Sequence, residues 1–263
     1  MRVSFALSLL AGLALTCSQV VLAEQPEPLV VEIEGAVLNP GGFLFPQGAR
    51  LNSAAATGRV RADAWFVGAA LLRQSAINPQ QRLKSGILFE LNANRVHARA
   101  QNNQPLLELA NRMYGAVKAM PTTGRVTVQL DPLQQLILAN NDLLEHGDKL
   151  IYPLRPDHVR VTGAVQADCR LDHQPYSQAR DYLRACPRHA LADPSFVYLV
   201  QPNGQVQRLG TGYWNTEPAN VALGAVIYVP LQPNKLAPDT TGLNDDMAAM
   251  LATQYALGGR FAE

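Results

Sequence analysis

Val31–Val37 reads VEIEGAV, and Val159–Val165 reads VRVTGAV. Each alternates apolar and polar residues and then reaches Gly-Ala-Val, the pattern of a β-strand running into a turn. Asn39-Pro40-Gly41-Gly42 supplies turn residues behind the first copy. Downstream of each strand lies a short helix-like stretch, ARLNSAA from Ala49 and ARDYLRA from Ala179. Each copy then closes on one more strand, GDKLIYPL over Gly147–Leu154 and GAVIYVPL over Gly224–Leu231. The spacing therefore predicts a small α+β unit, written twice.

The copies differ in length. From Gly35 to Ile151 is 116 residues and from Gly163 to Ile227 is 64, so the first copy holds about 52 more. The insert is expected at about 64–120, where QQRLKSGILFELNANRVHARA and PLLELANRMYGAVKAM carry apolar residues at helical spacing. Leu106, Leu109, Ala110, Met113 and Val117 share one face of the second helix. A helical hairpin with that stripe must bury it, and the second unit is the nearest surface. The resulting division is a first domain over 24–156, a second over 157–232, and a linker with a final helix over 233–263. That helix is predicted from Leu243 to Leu257, with Leu243, Met247, Met250, Leu251 and Leu257 on one face and Asn244, Asp245, Asp246 and Thr253 off it. At about 15 residues it is too short to cross a bilayer. Its early aspartates suit the positive end of a helix dipole.

Residues 1–23 read as a secretory leader: Arg2, an apolar run from Phe5 to Leu15, then Val21-Leu22-Ala23 before Glu24. The rival is a lipobox at Leu13-Ala14-Leu15-Thr16-Cys17, where Thr16 stands in place of the usual small residue. Cleavage after Ala23 predicts export to the periplasm. It leaves 21 basic and 21 acidic residues, since Arg2 is the leader's only charge. With no basic stripe, nucleic acid is not the expected partner. Hydrophobic residues at 48% exclude a disordered chain. Cys169 and Cys186 remain in the mature chain, and a small even number of thiols in an exported protein pairs. A disulfide is therefore expected, the alternative being a reactive thiol near His173 or His189.

With the duplication in place, three motifs resemble the GfcC-like family of periplasmic proteins from Gram-negative capsule and exopolysaccharide operons. They are Thr123-Gly124-Arg125-Val126-x-Val128-x-Leu130-Asp131-Pro132, Trp65-x-x-Gly68-Ala69-x-Leu71, and Leu243-Asn244-Asp245. The resemblance implies an α+β chain of two tandem β-grasp (ubiquitin-like) domains, a helical insert in the first, and a C-terminal amphipathic helix. It is similar in plan to the soluble-ligand-binding domains of outer-membrane polysaccharide export proteins. It implies no catalytic activity and no cofactor. The implied partners are surface polysaccharide or polysaccharide-export proteins, with no transmembrane segment in the mature chain.

Arg125 is the candidate binding residue, at a position where the family motif carries an arginine. Val126, Val128 and Leu130 alternate with Thr127 and Gln129, which puts Arg125 on the face opposite the core set. Two readings stand: a shielded guanidinium fork for a carboxylate or phosphate, or a structural ion pair between insert and sheet. The first expects Arg125→Ala to leave stability nearly intact. Enzyme readings find less support. His97, His146, His158, His173 and His189 show no metal-ligand spacing, and no Gly-x-Ser-x-Gly elbow or phosphate loop occurs. Trp65, Tyr213 and Trp214 offer rings for sugar stacking, though core packing is the commoner use of such residues. The sequence favours a non-enzymatic accessory protein of polysaccharide assembly or export. The alternatives are a polysaccharide-modifying enzyme and a structural adaptor whose last helix joins an outer-membrane pore.

Overall fold

The computed structural model describes residues 27–212, 214–257 and 260–261. The expected leader, Cys17 and Tyr213 lie outside them. The first sheet is built from β1 (Leu29–Gly35), β2 (Gly41–Phe45), β3 (Ala70–Leu72), β4 (Arg125–Val126) and β5 (Lys149–Tyr152). The second is built from β6 (His158–Gly163), β7 (Cys169–Asp172), β8 (Phe196–Val200), β9 (Val206–Gly210) and β10 (Val226–Val229). Their orders are β2-β1-β5-β3-β4 and β7-β6-β10-β8-β9, the same permutation. In each, the first and last strands run parallel and the remaining pairs antiparallel. Helix α1 (Leu51–Gly58) follows the first hairpin, and α4 (Ala179–Ala185) follows the second. A last pair, β11 (Ala256–Leu257) with β12 (Arg260–Phe261), stands apart from both sheets.

The Gly-Ala-Val signature has one physical cause in both copies. Gly35 (φ 90°) stands opposite Tyr152, and Gly163 (φ 98°) stands opposite Val229. A Cβ would sit 2.1 Å from the Tyr152 carbonyl oxygen at Gly35, and 2.4 Å from the Val229 carbonyl oxygen at Gly163. Only glycine fits that backbone and that approach. The following alanines then donate to the same two carbonyls, Ala36 at 2.6 Å and Ala164 at 2.8 Å.

Between β3 and β4 the chain detours through α2 (Gln74–Ala100) and α3 (Gln104–Ala119). The detour spans residues 73–124, where the equivalent β8–β9 connection is only 201–205. The hairpin thus begins at Gln74, later than residue 64. The segment from 64 belongs instead to the sheet, through the Ala64–Leu154 bridge and β3. Asn103 starts α3, its side chain accepting from the Leu106 amide at 3.2 Å. The five residues expected on one face of α3 are all buried.

That stripe packs on the second unit. One apolar cluster joins Ile87, Leu91, Leu106, Leu109 and Met113 to Val159, Val161, Leu199, Ile227 and Leu251. The first sheet keeps a separate core with α1, centred on Val31, Ile33, Leu51, Leu71 and Leu150. The strand patterns follow from this. β1 alternates buried and exposed positions, as a sheet covered on one face does. β10 is buried at all four positions, wrapped on both faces.

Helix α5 (Leu243–Ala252) is docked on this shared core through Leu243, Met247, Ala248, Met250 and Leu251. Its length and one of its faces differ from expectation. The helix stops at Ala252, and Leu257 falls in β11. Thr253 turns its hydroxyl back to the Met250 carbonyl at 2.7 Å, and the carbonyls of Thr253 and Gln254 are taken by Thr123 and Arg125. Asn244, placed off the apolar face by periodicity, is buried. Its carboxamide accepts from the Leu231 amide at 3.0 Å and donates to the Leu231 carbonyl at 2.8 Å, so it acts as a strand neighbour to the end of the second sheet.

Candidate functional site

Two of the three motif segments, 65–71 and 123–132, meet where the two units touch. Asn244 and Asp245 of the third bond to Leu231 and Tyr198 of the second unit at the other end of α5. Gly124 (φ 75°) brings the chain within 2.6 Å, measured from a notional Cβ, of the Arg73 carbonyl oxygen, so a side chain has no room there. Gln80 of α2 fixes this turn. It accepts from the Gly124 amide and donates to the Arg125 carbonyl, each at 2.8 Å. Thr123 donates through its hydroxyl to the Thr253 carbonyl at 2.6 Å.

Arg125 is 7% exposed. Its guanidinium donates to the Gln254 carbonyl behind α5 at 2.6 Å, to the Ala69 carbonyl beside β3 at 3.3 Å, and to the Pro202 carbonyl in the β8–β9 turn. No carboxylate pairs with it among the described residues, and burial holds its pKa down at about 10, so it stays charged at neutral pH. A cation at the C-terminal end of α5 meets the negative end of that helix dipole. The geometry therefore matches neither sequence reading in detail: the fork is filled by backbone carbonyls of both units. The cavity beside it measures about 20 Å³, enough for one water.

Trp65 seals this junction. Its ring covers Gly68, where a Cβ would approach to 2.3 Å, and reaches Gly224 of the second unit, where a Cβ would stand 3.1 Å away. Trp65 is thus a packing residue. Trp214 is 76% exposed on the loop behind β9 and lines none of the cavities described here. Asp245, the last residue of the third motif, accepts from the Tyr198 hydroxyl at 2.5 Å.

On the outer side of the junction lies an open groove of about 690 Å³ along β9 and the 217–222 loop. A second hollow of about 370 Å³ continues it toward Thr127, Gln129 and Asp131 of the first unit. Val67, Asn203 and Gln205 line both. Sequence reasoning missed this site because its residues come from four separated segments.

Other residues that tie the units together also escaped the sequence. Asn94 of α2, fully buried, accepts from the Ala237 amide and donates to the Thr240 hydroxyl, both at 2.9 Å. Arg112 of α3 donates to the carbonyls of Gln166 at 2.7 Å and Gly163 at 3.0 Å, and to that of Val165. The expected Cys169–Cys186 disulfide is present, its Cα atoms 6.0 Å apart, joining the start of β7 to the end of α4. His146 accepts from the Val30 amide, and His158 is buried beside Asp157. Among the described residues no cluster of three or more His, Cys, Asp or Glu could hold a metal. No described helix is long and apolar enough to cross a membrane.

The fold and junction thus define a duplicated α+β protein in which a helical hairpin from one unit completes the core of the other. Residues 169–256, from β7 through α5 to β11, match the model of the capsule biosynthesis GfcC C-terminal family. The chain is also 25% identical, over 194 residues covering 72% of it and 76% of the relative, to a protein of Escherichia coli (strain K12) named Uncharacterized protein YjbG. The resemblance to the GfcC-like family, first read from short motifs, is shown by these matches.

Proposed function

We propose that this chain is a non-enzymatic, periplasmic accessory protein of capsule or exopolysaccharide assembly, built from two tandem β-grasp domains. The observation that supports it best is the capsule-biosynthesis match over 169–256, falling on a unit whose strand order recurs upstream. The shared order, with parallel first and last strands and one helix behind the hairpin, suits a β-grasp reading of both units. The leader at 1–23 supports export, and a disulfide between Cys169 and Cys186 suits an oxidising compartment. In this reading Arg125 is a clamp whose ligands are the chain's own carbonyls. The adaptor alternative draws less support, because swinging α5 out would expose Leu243, Met247, Met250 and Leu251 to water.

The test is deletion of the gene in its host, with complementation by the full chain and quantitation of cell-surface polysaccharide. Loss of surface polymer, restored by the full chain and accompanied by a mature N-terminus at Glu24 in the periplasmic fraction, supports the reading. Unchanged polymer in the deletion strain overturns it. Release of oligosaccharide from purified polymer by the protein would replace it with the enzyme alternative.

A further inference from the structure

We infer that the groove across the domain junction is a binding site for a neutral, hydroxyl-rich glycan segment of several sugar residues. The inference rests on the polysaccharide reading for its biological setting, while its physical case is independent of that reading. Three features of the groove carry it.

The first is shape. The two hollows, about 690 and 370 Å³, meet at shared walls and run from the β9 edge to the segment that follows β4. Each alone falls in the usual size range of small-ligand sites, and together they form an elongated track with open sides. A closed pocket takes one ring, whereas an open track takes a chain that enters and leaves.

The second is polar chemistry. Gln205, Gln207 and Asn220 line the groove, and their carboxamides make no hydrogen bond to protein among the described residues. Each carboxamide offers donors and acceptors together, as a sugar hydroxyl does. Gln201, by contrast, is held in place, donating to the Asn220 carbonyl at 2.7 Å and accepting from the Ala222 amide at 3.3 Å. That bracing keeps the 217–222 wall in position, which lowers the cost of ordering a bound chain.

The third is charge. Among the described residues Arg208 is the only cation lining either hollow, and its guanidinium is stacked 4.0 Å over the Phe196 ring. Glu217 and Asp131 line the same space, so the described residues of the groove carry one more negative than positive charge. An acidic polymer would meet net repulsion there, and a neutral one would not. Val67, Pro218 and Ala222 add apolar surface of the kind that C–H faces of sugar rings cover.

The test uses the full mature chain and two probes of matched length, cellohexaose as the neutral one and hexameric oligogalacturonate as the acidic one. Fractions of hexasaccharide size from the host's own surface polymer are titrated beside them. Binding is followed by shifts of the side-chain carboxamide resonances in NMR and by calorimetry. The expected result is perturbation of Gln205, Gln207 and Asn220 by a neutral probe or fraction. The double variant Gln205→Ala/Gln207→Ala should lose at least tenfold in affinity with an unchanged melting temperature. Preference for the oligogalacturonate overturns the inference. So does binding unaltered by the double variant, or no binding to any of these oligosaccharides. A perturbation confined to β9 backbone amides on adding periplasmic extract overturns it in favour of a peptide strand on that edge. Loss of polymer in the deletion strain alongside an inert groove would leave the accessory function standing and remove only the glycan site.

Discussion

The Arg125 guanidinium donates to the Gln254 carbonyl at 2.6 Å, 129 residues away in the chain, and so closes the end of α5 against the first sheet. The same group reaches Ala69 in its own unit and Pro202 in the other. One side chain thereby joins both sheet units and the last helix. Arg112 repeats the device from α3, bracing the turn behind β6. Carbonyl-rich turns buried between domains need donors. An arginine supplies several in one plane.

Arg125→Ala should therefore destabilise the fold by about 3 kcal/mol, a cost set by buried carbonyls left without donors. This reverses the expectation of near-intact stability that follows from a ligand-binding arginine. Arg125→Lys should recover only part of the loss, since one ammonium cannot span three directions. Urea denaturation of the three proteins checks both statements. An Arg125→Ala protein as stable as the parent would remove the clamp.

Asn94→Ala should cost about 2 kcal/mol, because the Ala237 amide and the Thr240 hydroxyl lose a buried partner. The 237–240 linker should loosen before the sheets do. Hydrogen exchange at the Ala237 amide reads this directly: it should accelerate in the variant while exchange in β10 stays slow at low denaturant.

How far the chain could be read in advance depended on whether a residue's role was local. The Gly35 and Gly163 signatures, the α3 stripe and the ARDYLRA helix are local, set by strand alternation, helical period and turn backbone, and all were legible. Gln80, Asn94 and Asn244 were not. A carboxamide on a helix looks solvent-facing by period, and only the folded chain brings it a distant backbone group that needs a partner. The early end of α5 has the same origin, since the groups that take its last carbonyls come from residues 123 and 125. The groove was hidden for a further reason. Its walls come from segments near 67, 129, 205 and 218, and no short window contains them.

Reducing the Cys169–Cys186 bond should lower stability by about 3 kcal/mol, the chain-entropy value for a loop of this size. The bond ties edge strand β7 to α4, so the loss should appear first as fraying of that corner. Melting with and without dithiothreitol gives the magnitude. A Cys169→Ser/Cys186→Ser protein should melt like the reduced parent and show no further response to reductant.

Acid should tighten the docking of α5. Burial, and then the neighbouring Asp246 charge, raises the Glu90 pKa above its ordinary 4.5; burial, and then Asp245, raises that of Asp246 above 3.8. Both acids are held more weakly ionised in the folded chain than in the unfolded one. Their stabilising contribution is therefore complete below the unfolded values near 4 and is lost as pH rises through the raised folded values. Glu90→Gln removes one of the two facing charges between α2 and α5. It should stabilise the protein at pH 7 by less than about 1 kcal/mol, because both side chains are only partly buried and water screens much of their repulsion. That advantage should shrink toward zero as pH falls to about 4, where the parent's Glu90 carries its own proton. Paired denaturant titrations at pH 7 and pH 4 measure the difference, and an advantage that grows in acid would show that Glu90 is stabilised as a carboxylate by the start of α5.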